Sequence, residues 1–134
     1  MWRLLHRILY LGGLGIIMLS ADVTMAEDTK FSWTISGVTD SMAPTVILLH
    51  GLNRSHRSMR PLAEALAAGG YRVVNMDYPA SKFPLDELAR LLGRALDSCC
   101  TPSPGAGFNF ITHSLGGIVL RVYAEQQQHR PMSG

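Results

Sequence analysis

Residues His113-Ser114-Leu115-Gly116-Gly117 close the apolar run 108–112, and their types and spacing could do chemistry. A strand, a sharp turn bearing one serine and a helix opening on two glycines would hold a hydroxyl above the edge of a sheet. There it faces a helix N-terminus, whose unpaired N–H groups favour negative charge. That is where a serine nucleophile would be placed. The competing use of Ser114 is plain helix capping, a common task for serine.

The elements that must position this turn are legible upstream. Residues 45–49 form an apolar run that does not alternate, and such a strand is buried on both faces, as in a parallel sheet covered by helices. Residues 58–68 read as a helix with Ser58 as cap and Pro61 in its first turn. Met59, Leu62, Ala63 and Leu66 lie at helical spacing, and Gly69-Gly70 ends the segment. A second core strand is expected at 71–78, centred on Val73 and Val74. Pro84 opens the next helix, with Asp86 and Glu87 in its first turn and Leu85, Leu88, Ala89, Leu92 and Leu96 as its apolar stripe. Residues 101–105 break the chain. The third core strand is 108–112, and the third helix is 115–128, with Ile118, Val119, Val122 and Tyr123 facing inward. A short strand at 31–35 and a turn at 40–44 precede all of these. Alternating strands and helices predict a three-layer α/β/α fold with a mostly parallel sheet.

The chain has 134 residues, 47% of them hydrophobic and 16% charged, with a formal net charge of +2. One domain fits this length, and the charge is too low for a disordered chain. The arginines are scattered, which argues against a nucleic-acid surface. Arg3, His6 and Arg7 precede the apolar run 8–19, and Thr24-Met25-Ala26 supplies small residues for cleavage before Glu27. This is the layout of a secretory signal peptide over 1–26, followed by a domain over 27–134. An uncleaved anchor is the alternative, although the run falls short of the ~20 residues of a membrane span. Either way the chain is expected to be exported, periplasmic or secreted, and any membrane contact is confined to that segment.

Cys99 and Cys100 are adjacent. Neighbouring Cα atoms lie ~3.8 Å apart, below the usual disulfide span of about 4.4–6.8 Å. Free thiols at a helix end, or half of an intermolecular bridge, are therefore expected. Their spacing does not suit a metal, and no metal or cofactor site is expected anywhere.

With His50-Gly51 after one buried strand and His-Ser-Leu-Gly-Gly after a later one, the chain resembles the N-terminal half of an α/β-hydrolase. The likeness is to bacterial lipase- and esterase-like members and covers roughly residues 45–129. In that family the nucleophile sits in a G-x-S-x-G elbow and takes an oxyanion donor from the next residue's N–H. The resemblance implies Ser114 as nucleophile and Leu115 N–H as one donor. The second donor would come from the loop His50-Gly51-Leu52, making Leu52 N–H the candidate, with Gly51 allowing close approach. Gly116 and Gly117 would permit tight strand–helix packing. The first glycine of the family's pentapeptide is Thr112 here, which adds a branched side chain at a crowded position. His50 is expected to order the oxyanion loop and His113 to pack or hydrogen-bond beneath the elbow. His56 reads as a loop residue and Asp77 as structural.

The family's triad runs in the order Ser, Asp or Glu, then His. After Ser114 this chain offers only Glu125 and His129, near the far end of the same helix. At 1.5 Å per residue Glu125 lies ~15 Å away, and neither residue reaches the hydroxyl. The resemblance thus implies a truncated α/β-hydrolase fold that hydrolyses a carboxylic ester, plausibly a lipid, through an acyl-serine, with little activity in this chain alone. The alternatives are a non-catalytic interaction module and a half-site completed by another chain. In the family's sheet order the elbow strand would be left as an apolar edge, a site for self-association.

Overall fold

The structure is a computed structural model that describes residues 31–39, 43–100 and 107–129. The expected signal segment 1–26, the turn residues 40–42 and the chain break 101–105 lie outside the described residues.

Among the described residues four strands form one sheet: β1 (Ser32–Gly37), β2 (Thr45–Leu49), β3 (Arg72–Asp77) and β4 (Asn109–Thr112), in the order β1-β3-β2-β4. β2 runs parallel to both its neighbours, with Leu49 opposite Met76 of β3 and Thr112 of β4. β1 is antiparallel to β3. Helices α1 (Arg60–Ala68), α2 (Leu85–Cys99) and α3 (Leu115–Gln128) complete the α/β arrangement, with the mostly parallel sheet expected from the alternation of elements.

Every residue of β2 is buried, as its unbroken apolar pattern requires. Successive side chains of a strand face opposite ways, so β2 and β3 feed two cores. Ile47, Leu49, Val74 and Met76 pack with Leu88, Leu92 and Leu96 of α2 and Val119 of α3. Val46, Leu48 and Val73 pack with Met59 and with Ala63 of α1. Each fully buried leucine contributes about 1.5–3 kcal/mol relative to an exposed one, and the stripe of α2 supplies three.

The helices bury narrower stripes than the sequence predicts. Leu62, Leu85 and Ile118 are 37%, 38% and 49% exposed. The segment 58–68 is also not one helix. A 3-10 turn, His56–Met59, leads into α1, and Met59 rather than Ser58 is the cap residue. Pro61 sits in the first turn and has no N–H for a cap to serve. The Ser58 hydroxyl instead donates to the Ser55 carbonyl at 2.8 Å.

Cys99 and Cys100 are joined in a disulfide, contrary to the expectation of free thiols. The helix ends between them: Cys99 is its last residue and Cys100 is extended, at φ −145° and ψ 124°. That change of backbone conformation lets adjacent side chains meet. Cys100 is buried in the α2–α3 core.

Among the described residues β4 pairs with β2 alone and lies at the edge of the sheet. Its residues alternate between exposed and half-buried, and Ile111 is 36% exposed. No helix among the described residues is long and apolar enough to cross a membrane.

Candidate active site

Ser114 stands at the junction of β4 and α3, at the carboxyl edge of the parallel strands. His113 N–H donates to the Leu49 carbonyl at 3.0 Å, carrying the sheet pairing up to the turn. The chain then reverses at Ser114, whose φ of 51° and ψ of −119° place a residue other than glycine in a strained region. Such conformations cost of order 1–3 kcal/mol and persist where the surroundings over-determine them. Ser114 occupies the cap position of α3, yet its side chain makes no capping hydrogen bond. Plain helix capping therefore does not account for the exposed hydroxyl.

The glycines next to the turn allow that reversal. A Cβ on Gly116 would lie 2.6 Å from the Leu49 carbonyl oxygen and 2.9 Å from that of His50, so only glycine fits beneath the serine. A Cβ on Gly51 would lie 2.8 Å from His113 Nδ1 and 3.2 Å from Ser114 Cβ, which puts the loop after β2 directly against the turn. Thr112, at the position the family fills with glycine, is accommodated by the bare Gly117: a Cβ there would lie 3.1 Å from Thr112 Oγ1.

The Gly51 carbonyl is held twice. His50 Nδ1 donates to it at 2.8 Å, and Arg54 N–H does so at 3.3 Å. Leu52 is half exposed, and no backbone acceptor among the described residues takes the N–H of Leu52 or of Leu115. One of these N–H groups follows Gly51, which abuts Ser114, and the other directly follows Ser114.

His50 is fully buried and stacks on the Tyr78 ring, with centroids 4.3 Å apart. Its Nε2 lies 3.0 Å from Asp77 Oδ1 and 3.3 Å from Tyr78 N–H. The Tyr78 hydroxyl donates to the His50 carbonyl at 2.6 Å, and burial pushes its pKa up to about 12. On the far side of Asp77, His56 Nδ1 lies 2.8 Å from Oδ2, and His56 N–H donates to Oδ1 at 3.2 Å. Burial pushes the Asp77 carboxyl up, but the His56 hydrogen bonds and the charges of His56 and His50 outweigh it, leaving the group below its ordinary value. Asn75 Nδ2 donates to the His56 carbonyl at 2.9 Å, and Asn75 Oδ1 is buried with no partner among the described residues.

The structure thus brings Ser114, Leu115, Gly116, Gly117, His50, Gly51, Leu52 and His113 to one end of the sheet. His113 is exposed rather than packed beneath the turn, its ring turned toward the loop after β2, where a Cβ on Gly51 would lie 2.8 Å from its Nδ1. Glu125 and His129 are exposed at the distal end of α3. Among the described residues, no group of three or more potential ligands could hold a metal. A groove of about 580 Å³ between α2 and α3, lined by Arg90, Gly93, Arg94 and Tyr123 among others, includes none of the site residues. Residue types alone did not mark Asp77, His56 and Tyr78 as partners of His50. The available signal was Asp77-Tyr78 at the end of a core strand, where α/β sites lie.

A family profile described as alpha/beta hydrolase fold matches residues 44–130. Comparison with curated proteins finds no match. Among solved structures, an epoxide hydrolase from Vigna radiata shares 22% identity with a TM-score of 0.58, the match covering 73% of this chain and 32% of that one. A structure from a study of carboxylesterases of Nitrososphaera gargenis shares 22% identity with a TM-score of 0.57, covering 72% and 36%. A 1H-3-hydroxy-4-oxoquinoline 2,4-dioxygenase shares 28% identity with a TM-score of 0.58, covering 72% and 37%. The chain therefore spans about a third of the length of each, and the same fold carries different chemistries in them.

Proposed function

Because the chain belongs to the alpha/beta hydrolase fold family, we propose that it carries the nucleophile and oxyanion half of a hydrolase acting on carboxylic esters. The observation that carries this reading is Ser114 itself, a strained, exposed serine at a helix N-terminus whose hydroxyl does no capping. In the reaction Ser114 Oγ attacks the ester carbonyl carbon. The carbonyl oxygen becomes an oxyanion held by the N–H groups of Leu52 and Leu115. The tetrahedral intermediate then collapses, the alcohol leaves with a proton, and water releases the acid from the acyl-serine. One such donor is worth about 3–4 kcal/mol of transition-state stabilisation.

A serine without a base is a weak nucleophile at neutral pH. Among the described residues no histidine hydrogen-bonds the Ser114 hydroxyl. The isolated chain is therefore expected to react slowly. A fluorophosphonate probe, read by peptide mass spectrometry, should modify Ser114 slowly but in preference to exposed Ser81 and Ser98. Modification spread equally over those serines would overturn the nucleophile reading, and fast stoichiometric labelling of Ser114 would overturn the inactivity.

A second reading is favoured by the open edge of β4: an interaction module, or a half-site completed by another chain, that uses this edge to associate. An oxidising compartment suits both readings. The Cys99–Cys100 disulfide and the apolar segment 8–19 support export.

A further inference from the structure

We propose that Asp77 and His56 are positioning residues for the oxyanion loop, acting through His50 on the direction of the Leu52 N–H. The inference rests on Leu52 N–H being an oxyanion donor. His56 holds the carboxylate at both oxygens, through Nδ1 at 2.8 Å and its backbone N–H at 3.2 Å. The carboxylate in turn stands 3.0 Å from His50 Nε2. That contact sets the tilt of a buried ring whose other nitrogen donates to the Gly51 carbonyl at 2.8 Å.

The carbonyl and N–H of a trans peptide point in opposite directions. Holding the Gly51 carbonyl toward His50 therefore turns the Leu52 N–H away from it. Gly51 already abuts the serine, its hypothetical Cβ only 3.2 Å from Ser114 Cβ. The aim of an oxyanion donor is thus set by a hydrogen-bonded pair, His56 and Asp77, that touches neither Ser114 nor Leu52. Stability alone does not explain the pair. The side chains of His56 and Asp77 are 31% and 33% exposed, and pairs this open to solvent contribute little to folding. Their geometric constraint on His50 is the larger effect.

The test uses the full 134-residue chain, isotopically labelled, as wild type and as His56→Ala, His56→Asn and Asp77→Ala. Asparagine returns an N–H donor to the place of Nδ1, and the His56 backbone bond to Asp77 survives in both His56 variants. In His56→Ala and Asp77→Ala, the Gly51 carbonyl and Leu52 amide resonances should move. Exchange of the Arg54 amide, which shares the Gly51 carbonyl, should accelerate by about fivefold or more. Exchange at Val119 in the core should stay unchanged, and His56→Asn should return all three loop signals toward wild type. Unmoved Gly51 and Leu52 resonances would overturn the proposal. So would loss of Val119 protection alongside the loop, or failure of asparagine to restore it. None of these readouts needs catalysis, so an unreactive Ser114 would defeat the hydrolase reading while leaving this result separately readable.

Discussion

Thr112 Oγ1 and Gly117 share one volume: a Cβ added to the glycine would sit 3.1 Å from that oxygen. A branched side chain enters the turn where the family places glycine, and the helix facing it gives way. Gly117→Ala should therefore destabilise the chain by roughly 1 kcal/mol, an overpacking cost of about 2 kcal/mol offset in part by the ~1 kcal/mol that alanine gains over glycine within a helix. Combining it with Thr112→Ala should recover most of that loss, because residues in contact couple. Urea unfolding of the two single variants and the double variant measures this coupling. Strict additivity would show that the two positions do not compete for space.

The Asp77 carboxyl lies below its ordinary value, so its stabilising contribution is fully present above the unfolded value near pH ~4. It is lost as the pH falls through the lower folded value. The stability gap between wild type and Asp77→Asn should therefore narrow as the pH drops below about 4. Denaturant titrations of both proteins across that range provide the check. A gap that stays constant through the acid range would mean the carboxylate's charge is not what His50 and His56 respond to.

The exposed side of β4 should make the chain associate. Its ladder groups on that side have no strand partner among the described residues, and Ile111 adds apolar surface. Sedimentation velocity should show a weight-average mass that rises with concentration. Ile111→Lys should shift the population toward monomer, whereas Ser114→Ala should have no effect. A wild-type chain that stays monomeric at high concentration would rule out the edge as a contact surface.

Much of the fold was legible because burial leaves a periodic trace. The unbroken run of β2 and the stripe of Leu88, Leu92 and Leu96 gave the sheet and its covering helix directly. The turn at Ser114 was legible from local residue types. The cluster behind it was not, because His56 and Asp77 lie 21 residues apart and meet only through strand register and a 3-10 turn. Tyr78 reaches His50 across 28 residues because β2 and β3 run parallel, with Leu49 opposite Met76. The disulfide was missed because the Cα spacing of adjacent cysteines argues against it. What permits it is the end of α2 between them, a boundary that residue types place only to within a residue or two.

The buried ring of His50 has one more consequence. It meets the carboxylate of Asp77, the last residue of β3, and the backbone N–H of Tyr78 just past it. Side chains alternate along a strand, so sliding β3 by one residue against β2 would send the carboxylate to the opposite face. His50 then works as a gauge of strand alignment, and the loop beside Ser114 takes its shape only when β2 and β3 are paired in the native register.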